Sequence, residues 1–316
     1  MKLKIISGNA NIELSKQIVQ KLGVELSEAK VGHFSDGEIQ VKIVDNVRGA
    51  DCYIIQPTCS PVNENLMELL IVADALKRAS AKRITAVMPY YGYGRQDRKA
   101  EPRVPITARL VANLLATSGI TRVLTMDLHA GQIQGFFDIP VDHLYGTPVI
   151  LSYFQEKREK DEKFKDIVIV SPDAGGVERA RSFAKHFNAD LAIVDKRRPR
   201  PNEAAIMNII GEVKDKTCII LDDLVDTAGT LTKVAEAIKA KGAARVFATA
   251  SHGVLSGSAK QKIQDSCIEE LVITDSIPLK QNDGPNGKIA VLSIASILAE
   301  AIMRISNDES ISALFL

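Results

Sequence analysis

The run Asp222-Asp223-Leu224-Val225-Asp226-Thr227-Ala228-Gly229-Thr230 gathers carboxylates, hydroxyls and a glycine in one short stretch. It directly follows the apolar Cys218-Ile219-Ile220-Leu221 and directly precedes a segment with helical spacing. Small, hydroxyl-bearing residues at a helix N-terminus offer open backbone N–H groups and a favourable dipole, the ingredients of a phosphate site. Asp222 and Asp223 then lie close by, placed to accept hydrogen bonds from sugar hydroxyls or to hold a metal ion. The plainer reading is an acidic turn in which Asp226 or Thr227 caps the helix. Capping accounts for one of these residues and leaves the string unexplained.

Other runs of this kind follow apolar segments. Tyr90-Tyr91-Gly92-Tyr93-Gly94-Arg95-Gln96-Asp97-Arg98-Lys99 follows a segment ending at Met88. Asp127-Leu128-His129-Ala130-Gly131 and Ser171-Pro172-Asp173-Ala174-Gly175-Gly176 each follow another. The stretch from Lys196 to Pro201 holds Lys196, Arg197, Arg198 and Arg200 beside two prolines. So much charge cannot pack as core, which predicts an exposed, mobile loop; on charge alone it could equally be a solvated turn. Phe34-Ser35-Asp36-Gly37-Glu38 sets an aromatic face beside two carboxylates, or else is a polar hairpin turn around Asp36-Gly37. The remaining histidines, His33, His143, His186 and His252, read as structural.

These residues need a frame. Asp51–Gln56, Arg83–Met88, Arg122–Met126, Ile167–Val170, Leu191–Val194, Cys218–Leu221 and Arg245–Ala248 read as buried strands. Helical spacing over Asn65–Ala79 and Pro105–Ser118 separates them, with Pro105 near a helix start. Strands alternating with helices predict an α/β protein with mostly parallel sheets flanked by helices, where ligands bind beyond the carboxyl ends of the strands. An internal repeat sharpens this. Leu69–Ala86 aligns without gaps on Leu231–Ala248, with Val72/Val234, Ala73/Ala235, Lys77/Lys239 and Arg83/Arg245 among the identical pairs. Upstream, Cys52-Tyr53-Ile54-Ile55 matches Cys218-Ile219-Ile220-Leu221. Two similarly folded, duplicated domains are therefore expected, 1–150 and 151–316. The charged run 156–163 reads as a solvated helix or connector beyond that boundary.

Composition sets outer limits. The 316 residues are 46% apolar and 25% charged, with a net charge of +1. Charge so balanced excludes a nucleic-acid binder that works through bulk electrostatics. No apolar run is long enough to span a bilayer, and the first residues lead into a strand-like segment with no secretory leader core. Cys52, Cys59, Cys218 and Cys267 form no CxxC pair, so reduced thiols in a cytoplasmic protein are expected, without structural zinc.

The Asp222–Thr230 run resembles the phosphoribosyl-diphosphate loop of the type I phosphoribosyltransferase superfamily, two acidic residues followed by D-T-x-G-T. Together with the runs after the other strands and Phe34–Glu38, in this order along the whole chain, the set resembles the ribose-phosphate diphosphokinase (phosphoribosyl diphosphate synthetase) family. The resemblance implies a Mg2+-dependent transfer of the diphosphoryl group of ATP to the C1 hydroxyl of ribose 5-phosphate, giving phosphoribosyl diphosphate and AMP. By similarity, Asp226, Thr227, Ala228, Gly229 and Thr230 hold the 5-phosphate, with Ala228 at the loop's tolerant position, and Asp222 and Asp223 take the ribose hydroxyls. Lys196 and Arg198 belong to a closing catalytic lid, where Arg198 also faces ribose 5-phosphate. Phe34, Asp36, Gly37 and Glu38 recognise adenine, and Arg95 and Gln96 bind ATP. His129 and Asp173 match metal-linked positions, directly or through water.

The family's adenine element comes from a neighbouring subunit, which implies a homo-oligomer, a hexamer of dimers. Phosphate activation and ADP inhibition are implied at segments containing Arg48, Arg103, Gln134, Asp142, Ser310 and Ser312. The resemblance also implies that the chain's end, from about Ile305, packs back on the N-terminal domain. Two other readings are a phosphoribosyltransferase and a non-catalytic subunit of the same fold. The duplicated domain with Arg95, Gln96 and His129 argues against the first. The intact set Lys196, Arg198, Asp222, Asp223, Asp226 and Thr230 argues against the second.

Overall fold

Short aliphatic runs become the central strands of two sheets because they are buried on both faces, as parallel strands flanked by helices must be. The computed structural model describes residues 2–197, 206–279 and 287–314. Its packing divides the chain into two units, Met1–Tyr145 with Ser276–Pro278 and Ser293–Leu316, and Gly146–Asp275 with Leu279–Leu292.

The first unit runs β1 (Leu3–Ser7), α1 (Ile12–Leu22), β2 (Ala29–His33), β3 (Ile39–Ile43), β4 (Asp51–Ile55), α2 (Val62–Arg78), β5 (Arg83–Met88), α3 (Thr107–Ser118), β6 (Arg122–Met126) and β7 (Val141–Leu144). Its parallel sheet has the order β1-β4-β5-β6-β7. Strands β2 and β3 stand apart as an antiparallel pair whose apolar side, Ala29, Val31, Val41 and Ile43, packs on the core. Asn11 starts α1 by accepting a hydrogen bond from the Leu14 N–H, and left-handed Gly23 ends it.

The second unit runs α4 (Thr147–Lys160), β8 (Ile167–Ser171), α5 (Val177–Phe187), β9 (Asp190–Arg197), β10 (Ile206–Ile210), β11 (Thr217–Val225), α6 (Gly229–Ala240), β12 (Arg245–Gly253), α7 (Ala259–Asp265), β13 (Glu270–Thr274) and β14 (Ile289–Leu292). The sheet order is β10-β9-β8-β11-β12-β13-β14, and only β10 is antiparallel to its neighbour. The chain leaves β8 for β9 on one side and returns to β11 on the other. The topological switch point therefore lies between β8 and β11, the place where open α/β sheets bind ligands.

The repeat seen in the sequence is β4-α2-β5 against β11-α6-β12. Each half ends in a helix that packs in the other unit. Helix α4, which follows β7, buries Ile150, Leu151 and Phe154 with Ala180, Phe183 and Phe187 of α5. Helix α8 (Ala295–Ser306), which follows β14, buries Leu298, Ile302 and Ile305 with Leu14 and Ile18 of α1. This exchange puts the division at 145/146 where the sequence suggested 150. It also brings the chain into the first unit at Ser293, well before Ile305, because α8 needs its whole apolar face covered. The charged run 156–163 forms the end of α4 and the turn after it. Among the described residues no helix is long and apolar enough to cross a membrane.

Candidate active site

Strand β8 accompanies β11 only as far as Val170 opposite Ile220, whereas β12 continues beside β11 to Gly253 opposite Val225. The end of β11 thus projects past β8 along the switch point. Asp222 and Asp223 sit on this projection, inside the strand and not in a loop after it; pairing with Ala250 and its neighbours carries the strand through the acidic residues. The Asp223 N–H donates to Asp222 Oδ1 at 2.9 Å. Arg179 of α5 places Nη1 3.3 Å from Asp223 Oδ1. Burial, the Asp223 charge and, more weakly, Asp173 push the Asp222 carboxyl up to about 7.

Asp173 comes from the turn after β8. Ser171 Oγ donates to its carbonyl at 2.7 Å, and the Gly176 N–H donates to its Oδ1 at 3.0 Å. Asp173, after β8, is near enough to Asp222, on β11, to add to the charge that its carboxyl feels.

Beside them the loop 226–230 enters α6. The N-cap residue, Ala228, makes no side-chain capping bond, and a helix start of this kind suits an anionic ligand. The Asp226 carboxylate accepts a hydrogen bond from Ser256 Oγ. Ala228 is left-handed at φ 57°, and its carbonyl accepts from Thr232 N at 3.0 Å and Thr232 Oγ1 at 3.1 Å.

Lys196 is placed differently from the sequence reading. Strand β9 extends through Arg197 and pairs with β10, with Lys196 opposite Met207, so the residue lies on a β-ribbon and not in a loop. Arg198 lies outside the described residues.

In the first unit, Gly92 follows β5 and donates its N–H to Thr58 Oγ1 at 2.7 Å. A Cβ at this position would stand 2.3 Å from the Thr58 carbonyl oxygen, so only glycine lets the loop turn here. The loop then presents Arg95 and Gln96 to solvent. Gln96 is tied to the start of α3, accepting from the Thr107 hydroxyl at 2.7 Å through Oε1 and from the Ala108 N–H at 3.2 Å through its carbonyl. His129 is exposed after β6. The preceding Leu128 N–H donates to Nε2 of buried His143 at 2.9 Å, which fixes that nitrogen as an acceptor. His143 is thus structural, and it anchors the segment that carries His129.

Phe34–Glu38 forms the turn of the β2–β3 hairpin, closed by Phe34 N–H to the Glu38 carbonyl at 2.8 Å, with Gly37 at φ 93°. Phe34 is 50% exposed at its tip. Arg48, Arg103, Gln134, Asp142, Ser310 and Ser312 all fall in the first unit, where Asp142 pairs with Arg122 at 2.6 Å. His129 and Asp173 belong to different units, and among the described residues no group of three or more His, Cys, Asp or Glu could hold a metal by itself. A magnesium ion commonly uses one or two carboxylates and completes its shell with water and substrate phosphates, which suits the donors at the β8–β11 crevice.

A small-residue loop beside an acidic pair, at the switch point of a duplicated α/β chain, defines a protein of the phosphoribosyltransferase fold type. The N-terminal domain of ribose phosphate pyrophosphokinase matches residues 3–119, and the phosphoribosyl synthetase-associated domain matches 195–316. Ribose-phosphate pyrophosphokinases of Clostridium perfringens and Campylobacter jejuni are 58% and 57% identical, each over 99% of this chain and over 97% and 99% of their own. The crystal structure of phosphoribosylpyrophosphate synthetase from Mycobacterium smegmatis superimposes with a TM-score of 0.91 at 39% identity, covering 98% of this chain and 100% of that one. The chain belongs to the ribose-phosphate pyrophosphokinase family.

Proposed function

We propose that the β8–β11 switch point is where ribose 5-phosphate binds and is converted. As a ribose-phosphate pyrophosphokinase, the protein transfers the diphosphoryl group of ATP to the C1 hydroxyl of ribose 5-phosphate. The C1 hydroxyl oxygen forms a bond to the β-phosphorus and releases its proton to solvent, the bond from that phosphorus to the α-phosphate oxygen breaks, and AMP leaves. The observation that carries the placement is the uncapped N-terminus of α6 beside the Asp222–Asp223 pair.

In this reading the N–H groups and hydroxyls of 226–230 hold the 5-phosphate, with Gly229 and Thr230 at the helix start. Asp222 and Asp223 accept from the ribose 2- and 3-hydroxyls, which orients C1 away from the cradle. Lys196 neutralises charge on the transferring group, and Arg198 clamps it and the sugar phosphate. Arg95 and Gln96 hold ATP, and Phe34, Asp36, Gly37 and Glu38, supplied by a neighbouring copy, recognise adenine by stacking and by accepting from its amino group. Asp173 and His129 are each a candidate to hold Mg2+, directly or through water; when bound, the ion would supply charge neutralisation at the diphosphate.

The protein works as a homo-oligomer, a hexamer, in the cytoplasm. Its four free cysteines suit a reducing compartment. Inorganic phosphate and ADP act at the segments containing Arg48, Arg103, Gln134, Asp142, Ser310 and Ser312. Phosphorus NMR with ATP, ribose 5-phosphate, magnesium and phosphate tests the reading. Phosphoribosyl diphosphate with AMP is the expected product pair, and an Asp222→Asn, Asp223→Asn variant should lose it while still binding ATP. Formation of ADP would sink the reaction class, and full turnover in the double variant would sink the placement.

A further inference from the structure

The segment after β12, residues 254–262, binds the outer side of the phosphate loop at successive positions. The Leu255 N–H donates to the Val225 carbonyl at 3.0 Å, and the Ser256 N–H donates to the Asp226 carbonyl at 3.1 Å. Ser256 Oγ donates to the Asp226 carboxylate, and Lys262 Nζ donates to the Thr227 carbonyl at 3.2 Å. Two consecutive carbonyls of the loop, those of Asp226 and Thr227, are thus held by the same neighbouring segment.

A trans peptide is planar, with its C=O and the following N–H pointing in opposite directions. Holding the Asp226 carbonyl therefore aims the Thr227 N–H away from the 254–262 segment. Holding the Thr227 carbonyl does the same for the Ala228 N–H. The next carbonyl, that of Ala228, points along α6 to Thr232, which turns the Gly229 N–H out of the helix N-terminus. Consecutive N–H groups turned to one side, with a left-handed residue among them, make an anion nest. The segment pays in conformation for this reach, since Leu255 is left-handed at φ 48°.

We propose that Ser256 and Lys262 are positioning residues for ribose 5-phosphate, which set the peptide groups of the 226–230 cradle in their anion-binding orientation before the ligand arrives. Both side chains are exposed, so the fold does not need them for its core. The inference rests on the reading of 226–230 as the 5-phosphate site.

The test is steady-state kinetics on the full-length enzyme with Ser256→Ala, Lys262→Met, Lys262→Arg and Thr230→Val. Lys262→Met and Ser256→Ala should each raise the KM for ribose 5-phosphate about tenfold, the effect of one orienting hydrogen bond, and leave kcat and the KM for ATP within about twofold. Lys262→Arg, which keeps the donor, should recover most of the loss. If Thr230→Val raises that KM while Ser256→Ala and Lys262→Met do not, the cradle stands and the positioning role is wrong. If Thr230→Val also leaves it unchanged, the cradle assignment fails and takes the positioning role with it. A fall in kcat and a rise in both KM values, with a lower melting temperature, overturns the proposal in favour of a general structural role.

Discussion

The backbone N–H of Asp223 donates to Oδ1 of Asp222 at 2.9 Å, which ties the Asp222 carboxylate to the backbone of its neighbour on the strand beside the switch point. Arg179 compensates Asp223, whereas Asp222 carries the repulsion and has its carboxyl raised to about 7. In the unfolded chain Asp222 returns to the ordinary carboxyl value of 3.8. Between these two values the folded protein holds a proton that the unfolded chain has lost. Its stability therefore falls as pH rises from about 4 to about 7, by at most about 1.4 kcal/mol per pH unit from this group. Urea denaturation of the metal- and ligand-free protein should show this slope, and Asp222→Asn should flatten it. An unchanged slope in the variant would assign the proton elsewhere.

Lys196 sits on β9, opposite Met207 of β10, so the lid assigned to this region starts from a paired ribbon. Lys196→Ala should lower kcat by about 10²–10³-fold, the range for losing one donor aimed at developing charge. ATP affinity, measured by equilibrium titration, should stay within about twofold. Near-normal turnover would remove Lys196 from the chemistry.

Much of the frame was legible in the sequence because burial on both faces writes continuous apolar runs. β4, β5, β6 and β8 fall within a residue of the runs that announced them. The 226–230 loop was legible because small and hydroxyl residues at a strand-to-helix junction have few other uses. The ends of β9 and β11 were not legible, since charged residues carry no apolar signal and only pairing with β10 and β12 keeps Lys196, Asp222 and Asp223 in strands. The exchange of α4 and α8 was equally hidden, because an amphipathic helix does not name the sheet that covers it.

The partners across space were the least visible. Arg179, Ser256, Lys262 and His143 lie 44, 30, 35 and 15 residues from the positions they hold, and nothing near them in sequence marks that role. The first unit adds a further case. At the end of β4, where the second unit has its acidic pair, Glu68 is 2% exposed and accepts from Asn9 N, Asn9 Nδ2 and Gln56 Nε2 at 2.6–2.8 Å. A Cβ on Gly8 would stand 2.2 Å from Gln56 Oε1. The repeat thus preserved the strand-end architecture and filled one copy of it with its own side chains.

Gly92 offers a test of how backbone shape serves the nucleotide loop. The nearest obstacle to an added methyl group is the backbone carbonyl of Thr58, which cannot rotate aside as a long side chain could. Gly92→Ala should cost about 1–3 kcal/mol of stability, as overpacking does. It should also raise the KM for ATP through displacement of Arg95, with the KM for ribose 5-phosphate less affected. Thermal denaturation and kinetics on the same preparation check both effects, and an unaltered ATP KM would detach this turn from nucleotide binding.

Arg83 gives a contrast between two ion pairs of one side chain. Nη2 lies 2.6 Å from Asp51 Oδ2, at the start of β4 and only 1% exposed, while Nη1 lies 2.7 Å from Asp308, which is 69% exposed. Tyr53 also donates to Asp51 Oδ2 at 3.2 Å, and burial beside that carboxylate pushes its hydroxyl well above the ordinary phenol range. Removing the guanidinium leaves a buried carboxylate beside a phenol that cannot neutralise it. Arg83→Leu should therefore cost about 3–5 kcal/mol, the range for breaking a buried pair from one side. Asp308→Ala removes only a solvated partner, so its effect should be far smaller than that of Arg83→Leu. Asp51→Asn combined with Arg83→Leu should recover part of the loss, because the charge that made the vacancy costly is gone. Denaturant titration of the three variants measures the order, and equal losses for Arg83→Leu and Asp308→Ala would refute the asymmetry.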